Sequence, residues 1–339
     1  MRKIVNAVGM ASIALLLVSC QSSEDNTTEQ DIEPADQQAQ NEVETDDTAP
    51  DTEESNHEDM QDDPSEAAGK QSDKYEETQE VPQYFIDSHT YNAGIEFLTA
   101  FTIRRGDEQN TSAEERLVSS LFENDPSEQE ILSSFTEMTV EWPQLTVNFT
   151  EDGNLLSTTS AQSSMFYDSL TGISDLYGIE EVSFLNPDGE ESIIVAERNV
   201  DAPILIEDER GLTRGYYTIY NKELEQTLFL PGGVLEEPVE NENGEPLTFP
   251  ETIEAMKSVK SEDAFYASAI VEGFEVIKAT LEDDVATVQY TMDEKIVTEA
   301  DQIVFANAMQ LAALDFHAME VTLLNETLNE SVMYPLTGH

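Results

Sequence analysis

Thr146-Val147-Asn148-Phe149-Thr150 and Thr287-Val288-Gln289-Tyr290-Thr291 are one strand pattern written twice, 141 residues apart. A second pair follows in the same order, Val182-Ser183-Phe184-Leu185-Asn186 and Val321-Thr322-Leu323-Leu324-Asn325, 139 residues apart. Apolar residues alternating with polar ones mark strands with one buried face. Recurrence at a nearly fixed separation marks an internal repeat. The chain therefore contains two related units.

What lies between the blocks agrees. In the first unit Met165, Phe166, Leu170, Ile173, Leu176 and Tyr177 fall close to helical spacing, and Gly178 supplies a C-terminal stop. In the second, Thr298-Glu299-Ala300-Asp301 is an acidic variant of the capping box, and Ile303, Val304, Leu311 and Leu314 form the apolar stripe. Upstream, Leu117, Val118, Leu121 and Phe122 share a helix face. Asp125-Pro126-Ser127-Glu128 then offers an N-cap, a proline at the first helical position and an acid at the third. Residues 138–142 read as a strand that turns through Pro143-Gln144 into 145–150. In the second unit Pro250 opens a helix containing Ile253 and Met256, and strands over 274–281 and 285–290 flank a turn at Glu282-Asp283-Asp284. Each unit reads helix, hairpin, helix, strand, preceded by strands such as 96–103 and 215–220. Strands alternating with helices that cover one sheet face predict an α+β fold. The expectation is two tandem two-layer α/β sandwich domains, residues 81–196 and 197–339, each a small mixed sheet covered by helices.

The first 80 residues read differently. Arg2 and Lys3 precede an apolar run that ends near Cys20, the pattern of an export signal over residues 1–19. The run is shorter than the roughly 20 apolar residues a spanning helix needs. Leu17-Val18-Ser19-Cys20 resembles the lipobox of bacterial lipoproteins, which implies lipidation of Cys20 by a diacylglyceryl group and palmitate. Two acyl signals suffice for stable anchoring. Cys20 is the chain's one cysteine, so no intramolecular disulfide supports an exported fold. Residues 21–80 hold 22 Asp and Glu against Lys70 and Lys74, a net charge of −20, with few branched or aromatic side chains. Such composition cannot offset its ordering entropy, so residues 20–80 read as a lipidated cysteine followed by a disordered acidic tether. The protein is expected on the extracytoplasmic face of the cell membrane, lipid-anchored.

Of the total charge of −57, −39 falls on residues 81–339. This balance argues against nucleic acid and anionic head groups as partners. It fits a saline or alkaline medium, where excess acid favours solubility.

The second unit, about 249–328, resembles the GerMN domain of the GerM family of sporulation and germination lipoproteins. The resemblance rests on Asp283-Asp284-Val285-Ala286-Thr287-Val288, the helix over 301–314 and the closing strand over 320–324. The first unit matches more loosely, through 145–149 and 182–185. The tandem layout behind a lipidated cysteine is similar to the family's outline, and the extracytoplasmic part of some anti-sigma factors resembles it too. The resemblance implies an envelope role in sporulation, germination or wall assembly, by binding and assembly rather than catalysis.

The chemistry-bearing residues give no contrary pattern. His57, His89, His317 and His339 lack partners at metal-ligand spacing, since zinc takes three or four N or S ligands. No cofactor or metal is expected. Asp283 with Asp284, and Glu236 with Glu237, are acid pairs of the kind that 72 acids produce by chance. Pro231-Gly232-Gly233 reads as a turn. Tyr216, Tyr217 and Tyr220 read as packing residues, with a sugar-binding surface as the alternative. The leading expectation is a noncatalytic assembly, scaffold or regulatory lipoprotein that docks envelope or sporulation proteins. The alternatives are a lipoprotein that binds peptidoglycan or a solute between its domains, and an anti-sigma-like regulatory module.

Overall fold

The structure, a computed structural model, describes residues 75–77, 81–94, 96–106 and 111–336, all within one compact unit. The leader, Leu17, Val18, Ser19, Cys20, His57 and the tether through residue 74 lie outside the described residues, as does His339. The described chain opens with β1 (Glu76–Glu77) and the hairpin β2 (Tyr84–Asn92) and β3 (Phe97–Arg105). There follow α1 (Ala113–Glu123), α2 (Ile131–Phe135), β4 (Thr136–Glu141), β5 (Gln144–Phe149), α3 (Ser160–Leu176) and β6 (Glu181–Leu185). The first unit closes with β7 (Ile193–Val195), β8 (Arg198–Val200), β9 (Ile204–Leu205) and α4 (Ile206–Arg210). The second runs β10 (Tyr216–Asn221), β11 (Gln226–Pro231), α5 (Phe249–Ala255), β12 (Ala267–Ser268), β13 (Phe274–Glu282), β14 (Val285–Met292), α6 (Glu299–Leu314), β15 (Glu320–Asn325) and β16 (Glu330–Pro335).

The fold is α+β, with two tandem copies of one sheet-and-helix sandwich. In each, a hairpin is joined in parallel by the strand after the long helix. β4 runs antiparallel to β5, and β5 lies parallel to β6. β13 and β14 pair antiparallel, and β14 is parallel to β15. The recurring blocks are therefore neighbours in register, with Thr146 opposite Ser183 and Thr287 opposite Thr322. Leu145, Val147 and Phe149 are buried under α3, and Ala286, Val288, Tyr290 and Met292 form the matching inward face of β14. Asp283 and Asp284, at φ of 50° and 62°, make the tight turn that joins β13 to β14.

Capping boxes start the helices. Ser112 with Glu115, Thr159 with Gln162, Thr248 with Glu251 and Thr298 with Asp301 each satisfy orphan amides reciprocally at α1, α3, α5 and α6. Gly178, at φ 79°, ends the α3 turn, and its amide donates to the Asp175 carbonyl at 2.8 Å.

Several expectations are corrected. The helix after Asp125-Pro126 starts at Ile131, because Asp125 and Ser127 cap from a distance: their side chains accept the Leu132 and Ile131 amides at 2.7 and 3.0 Å. Ile303 faces solvent, and the buried face of α6 centres on Phe305, Ala308, Met309 and Ala312. A boundary at 196/197 cuts the β7–β8 hairpin, and β9 pairs with β6, so the first unit extends through α4 to Arg210. The tether stops short of residue 80, since Tyr75 is buried and β1 pairs parallel with β16.

The units also share a sheet. Its order is β12-β10-β11-β3-β2, so the leading hairpin of each unit contributes two adjacent strands. The hairpins meet where β3 and β11 pair antiparallel, with Phe101 opposite Phe229. Equivalent strands pairing antiparallel is what a local two-fold axis produces. The inward face of this sheet, Tyr84, Ile86, Phe101, Ile103, Tyr216 and Phe229, joins the main core together with residues of α3 and α6.

Gly172 of α3 marks how tightly the layers fit. A methyl group there would stand inside the Phe101 ring edge and 2.7 Å from Arg210 Nη1. Gly172→Ala gains helix propensity of up to about 1 kcal/mol. Overpacking of a buried ring costs about 1–3 kcal/mol and wins. Thermal unfolding of the variant is expected at a lower midpoint than the parent; an unchanged or raised midpoint would show that this layer can yield.

Candidate functional site

Two surfaces follow from the repeat: an open sheet face on each copy, and the seam between the copies. On the sheet faces, side chains that point away from the helices form cross-strand rows. Thr139, Thr146 and Ser183 align on the first copy, and Thr280, Thr287 and Thr322 on the second, extended by Met333. The next row is Glu137, Asn148 and Leu185 on one copy and Lys278, Gln289 and Leu324 on the other. Hydroxyl and amide positions thus recur row for row. Cross-strand threonine pairs stabilise a sheet, and a face with one solvated side is normal for hairpin-based sheets. What is unusual for so acidic a chain is that the hydroxyl row carries no charge, while Glu141 and Glu181, or Glu282 and Glu320, stand in the row beside it.

The seam is filled by ionisable side chains. Asp175, in the last turn of α3, accepts a hydrogen bond from Arg210 Nε at 2.8 Å, and His317 Nε2 lies 3.6 Å from its other oxygen. Thr213 donates its hydroxyl to the Asp315 carboxylate, and Arg214 Nη1 reaches the Asp315 carbonyl at 3.4 Å. Arg210 lies over the Phe101 ring and Arg214 over Phe316, with 5.4 and 4.1 Å to the centroids. Arg105 of β3 adds a bond to Gln310 of α6.

Burial works against charge on Asp175, but Arg210 and His317 outweigh it and hold the carboxyl below its ordinary range. Asp315 is pushed up by its own burial and by the nearby Asp175 charge. His317 is raised by its contact with Asp175. The two carboxyls of the seam are thus driven apart: Arg210 and His317 hold Asp175 down, while burial and the Asp175 charge push Asp315 up.

The residues singled out in the sequence are dispersed. His89, on β2, places Nε2 3.2 Å from Thr102 Oγ1 and 3.3 Å from Gln226 Nε2, and burial lowers its pKa. Glu237 is buried and accepts the Lys260 amide at 2.8 Å and the Tyr266 hydroxyl at 2.6 Å, while Glu236 caps a short 3-10 turn. Gly232 and Gly233 lie where a Cβ would strike the carbonyls of Arg214 and Leu212, so that turn needs bare backbone. Tyr216 and Tyr217 are buried on opposite faces of the shared sheet, and Tyr220 is exposed. The three tyrosines form no common platform. Among the described residues, no three His, Cys, Asp or Glu side chains are grouped to hold a metal ion, and no helix is long and apolar enough to cross a membrane. Of the seam cluster the sequence singles out His317 alone, because the members are spread from residue 175 to 317 and share no local spacing.

Fold and surfaces together define a two-copy α+β body, filled at its seam and open on two equivalent sheet faces. No family model and no curated protein matches the chain. Among solved structures, the tandem GerMN domains of the sporulation protein GerM from Bacillus subtilis are similar at 12% identity and a TM-score of 0.38. The match covers 76% of this chain and 98% of that one.

Two outcomes follow from the seam. Arg210→Met leaves Asp175 and Asp315 without their shared cation. Removing one partner of a buried pair costs about 3–5 kcal/mol, which denaturant unfolding will report. His317, with its folded pKa raised, contributes stability that is complete below the unfolded value of about 6.5 and is lost as pH rises through the folded value. Its ring is 47% exposed, so the contribution is under about 1 kcal/mol. His317→Gln should flatten the fall of the melting temperature that the parent shows as pH rises above the ordinary imidazole value of about 6.5. An equal slope in both proteins would remove His317 from the seam's electrostatics.

Proposed function

We propose that this chain is a noncatalytic envelope lipoprotein, held on the extracytoplasmic face of the cell membrane by lipid on Cys20, that docks partner proteins during sporulation or germination. One observation carries the docking part: the copies present the same neutral hydroxyl row, Thr139-Thr146-Ser183 and Thr280-Thr287-Thr322. A repeated face suits an assembly role, because one body then offers two equivalent contacts whose avidity multiplies. The ionic seam favours this reading over a solute bound between the copies, since Arg210, Asp175 and Asp315 occupy that space. The sporulation context rests on the resemblance of residues 249–328 and on the lipobox. Net charge supports protein rather than nucleic acid as the partner.

The test combines anchoring with contact. In the native host, Cys20→Ala should release a C-terminally tagged protein from membranes. Thr146→Arg with Thr287→Arg, both on solvated faces, should leave the melting temperature within the range of surface changes, about 0.5 kcal/mol, and abolish crosslinks to envelope partners. Septal or forespore enrichment is expected. Uniform distribution, no protein partner and retention on purified peptidoglycan would overturn the docking reading in favour of glycan binding.

A further inference from the structure

The shared sheet is finished differently at its two ends. At one end β12 pairs with β10, with Ala267 opposite Thr218 and Ser268 opposite Tyr217, and the Thr218 hydroxyl donates to the Ala267 carbonyl at 3.2 Å. At the other end, among the described residues, β2 has no strand on its outer side. Ser88 stands opposite Phe101 as Thr218 stands opposite Phe229, so the local two-fold puts Ser88 where the second copy has Thr218. A side chain takes the place of the strand there. Asn124, directly after α1, accepts the Ser88 amide on Oδ1 at 3.0 Å and donates from Nδ2 to the Ile86 carbonyl at 3.4 Å, as a neighbouring peptide group does. Ser120 Oγ accepts the Ile86 amide at 3.2 Å.

Helix α1 ends at Glu123, so this substitute strand stops at Ser88. Outward groups alternate along an antiparallel edge. The Ser88 carbonyl and the Thr90 amide and carbonyl therefore point the same way, and none of them has a hydrogen-bond partner among the described residues. Beside them opens a cavity of about 310 Å³, walled by the strand, the end of α1 and Met165 and Ser169 of α3. Its lining carries the carboxylates of Glu123 and Asp125 and no Lys or Arg, and burial lowers the His89 pKa, so that ring adds no charge at neutral pH. Arg104 pairs with Glu123 at 2.5 Å, while Asp125 holds two backbone amides and no cation.

We propose that the free edge of β2 at Ser88 and Thr90 receives an extended peptide of a partner protein as the next strand of the shared sheet, with a lysine or arginine side chain in the cavity. In such an addition the main-chain bonds supply the hold and a pocket for alternate side chains supplies the choice. β12 shows that the equivalent edge of the second copy takes a strand of two residues. The acidic lining excludes two other occupants: the chain's own segment 21–80, of net charge −20, and a second copy of a chain of −57 would each bring acid against Glu123 and Asp125. This edge lies apart from the hydroxyl rows, so Thr146→Arg with Thr287→Arg leaves it intact and the two contacts fail separately.

The probes are short blocked peptides that alternate lysine with valine, a glutamate and valine counterpart, and the lysine peptide N-methylated at every second residue. So acidic a chain attracts any cationic peptide, and the methylated form, equal in charge but unable to donate along one edge, is the deciding control. On the full chain in about 0.15 M salt, the lysine peptide is expected to slow hydrogen exchange at the Thr90 amide. Methylation should weaken its binding, followed by fluorescence anisotropy, about tenfold. Thr90→Pro removes the outward amide at an edge position that tolerates proline, and Met165→Arg sets a cation in the cavity. Each should weaken the lysine peptide about tenfold with the melting temperature unchanged, and if Thr90→Pro fails to fold, Met165→Arg still decides. Equal binding of the methylated and parent peptides, equal binding of the glutamate peptide, or protection of Thr90 that grows with protein concentration alone would overturn the proposal.

Discussion

A largely buried guanidinium, Arg210, is where the separate parts of this molecule meet. It bonds Asp175 at the end of the first copy's long helix, lies over Phe101 in the shared sheet, and shares the field of Asp315 from the second copy. Taking such a cation out of water costs several kcal/mol, and only close, well-formed partners repay it. The space it needs exists because residue 172 is a glycine. Arginine suits the position better than lysine, since its planar head can bond a carboxylate edge-on while its face rests on a ring. The last residue of the first unit is thereby tied to the helix that precedes it and to the sheet that both units build.

The shared sheet explains why two copies fold as one body. Each long helix covers its own small sheet with one side, which leaves the opposite side needing cover. In α6 the second half is buried nearly all round, down to Gln310, because β10 and β3 close over it. A single copy detached from its partner would expose Phe101 or Phe229 and the matching helix face, an apolar area no small domain leaves in water. Antiparallel pairing at Phe101 and Phe229 completes two unfinished sandwiches at once.

Much of this was legible locally. The paired strand blocks, the acidic turn at Asp283-Asp284, the Thr298–Asp301 cap and the Gly178 stop are all short-range patterns, and each stands where its chemistry puts it. Three features resisted. The shared sheet depends on contacts between residues near 101 and 229, and nothing in either hairpin's alternation names its neighbour. The unit boundary has no local marker, since β9 is two residues long and gains its place by pairing with β6. The stripe of Ile303, Val304, Leu311 and Leu314 misplaces Ile303, because a helix covered on both sides loses the one-faced period that makes a stripe readable.

Charge is distributed to the same end. All six arginines beyond the leader lie over an aromatic ring: Arg104 on Phe85, Arg105 on Tyr84 and Tyr334, Arg116 on Tyr84, Arg198 on Tyr167, Arg210 on Phe101 and Arg214 on Phe316. In a chain of net charge −57 the strong cations are thus spent on packing, and most carboxylates on the outside face water and one another. Exposed ion pairs are worth little in any case, so stability comes from the core, the seam and screening by salt. On the sheets, glutamates stand beside neutral hydroxyl rows, and acids on exposed strands discourage edge-to-edge and face-to-face association. A second copy meeting such a face would bring acid against acid, whereas a neutral or cationic partner would reach the hydroxyls without that opposition. The same acidity therefore sets the charge that anything lying on either repeated face would meet.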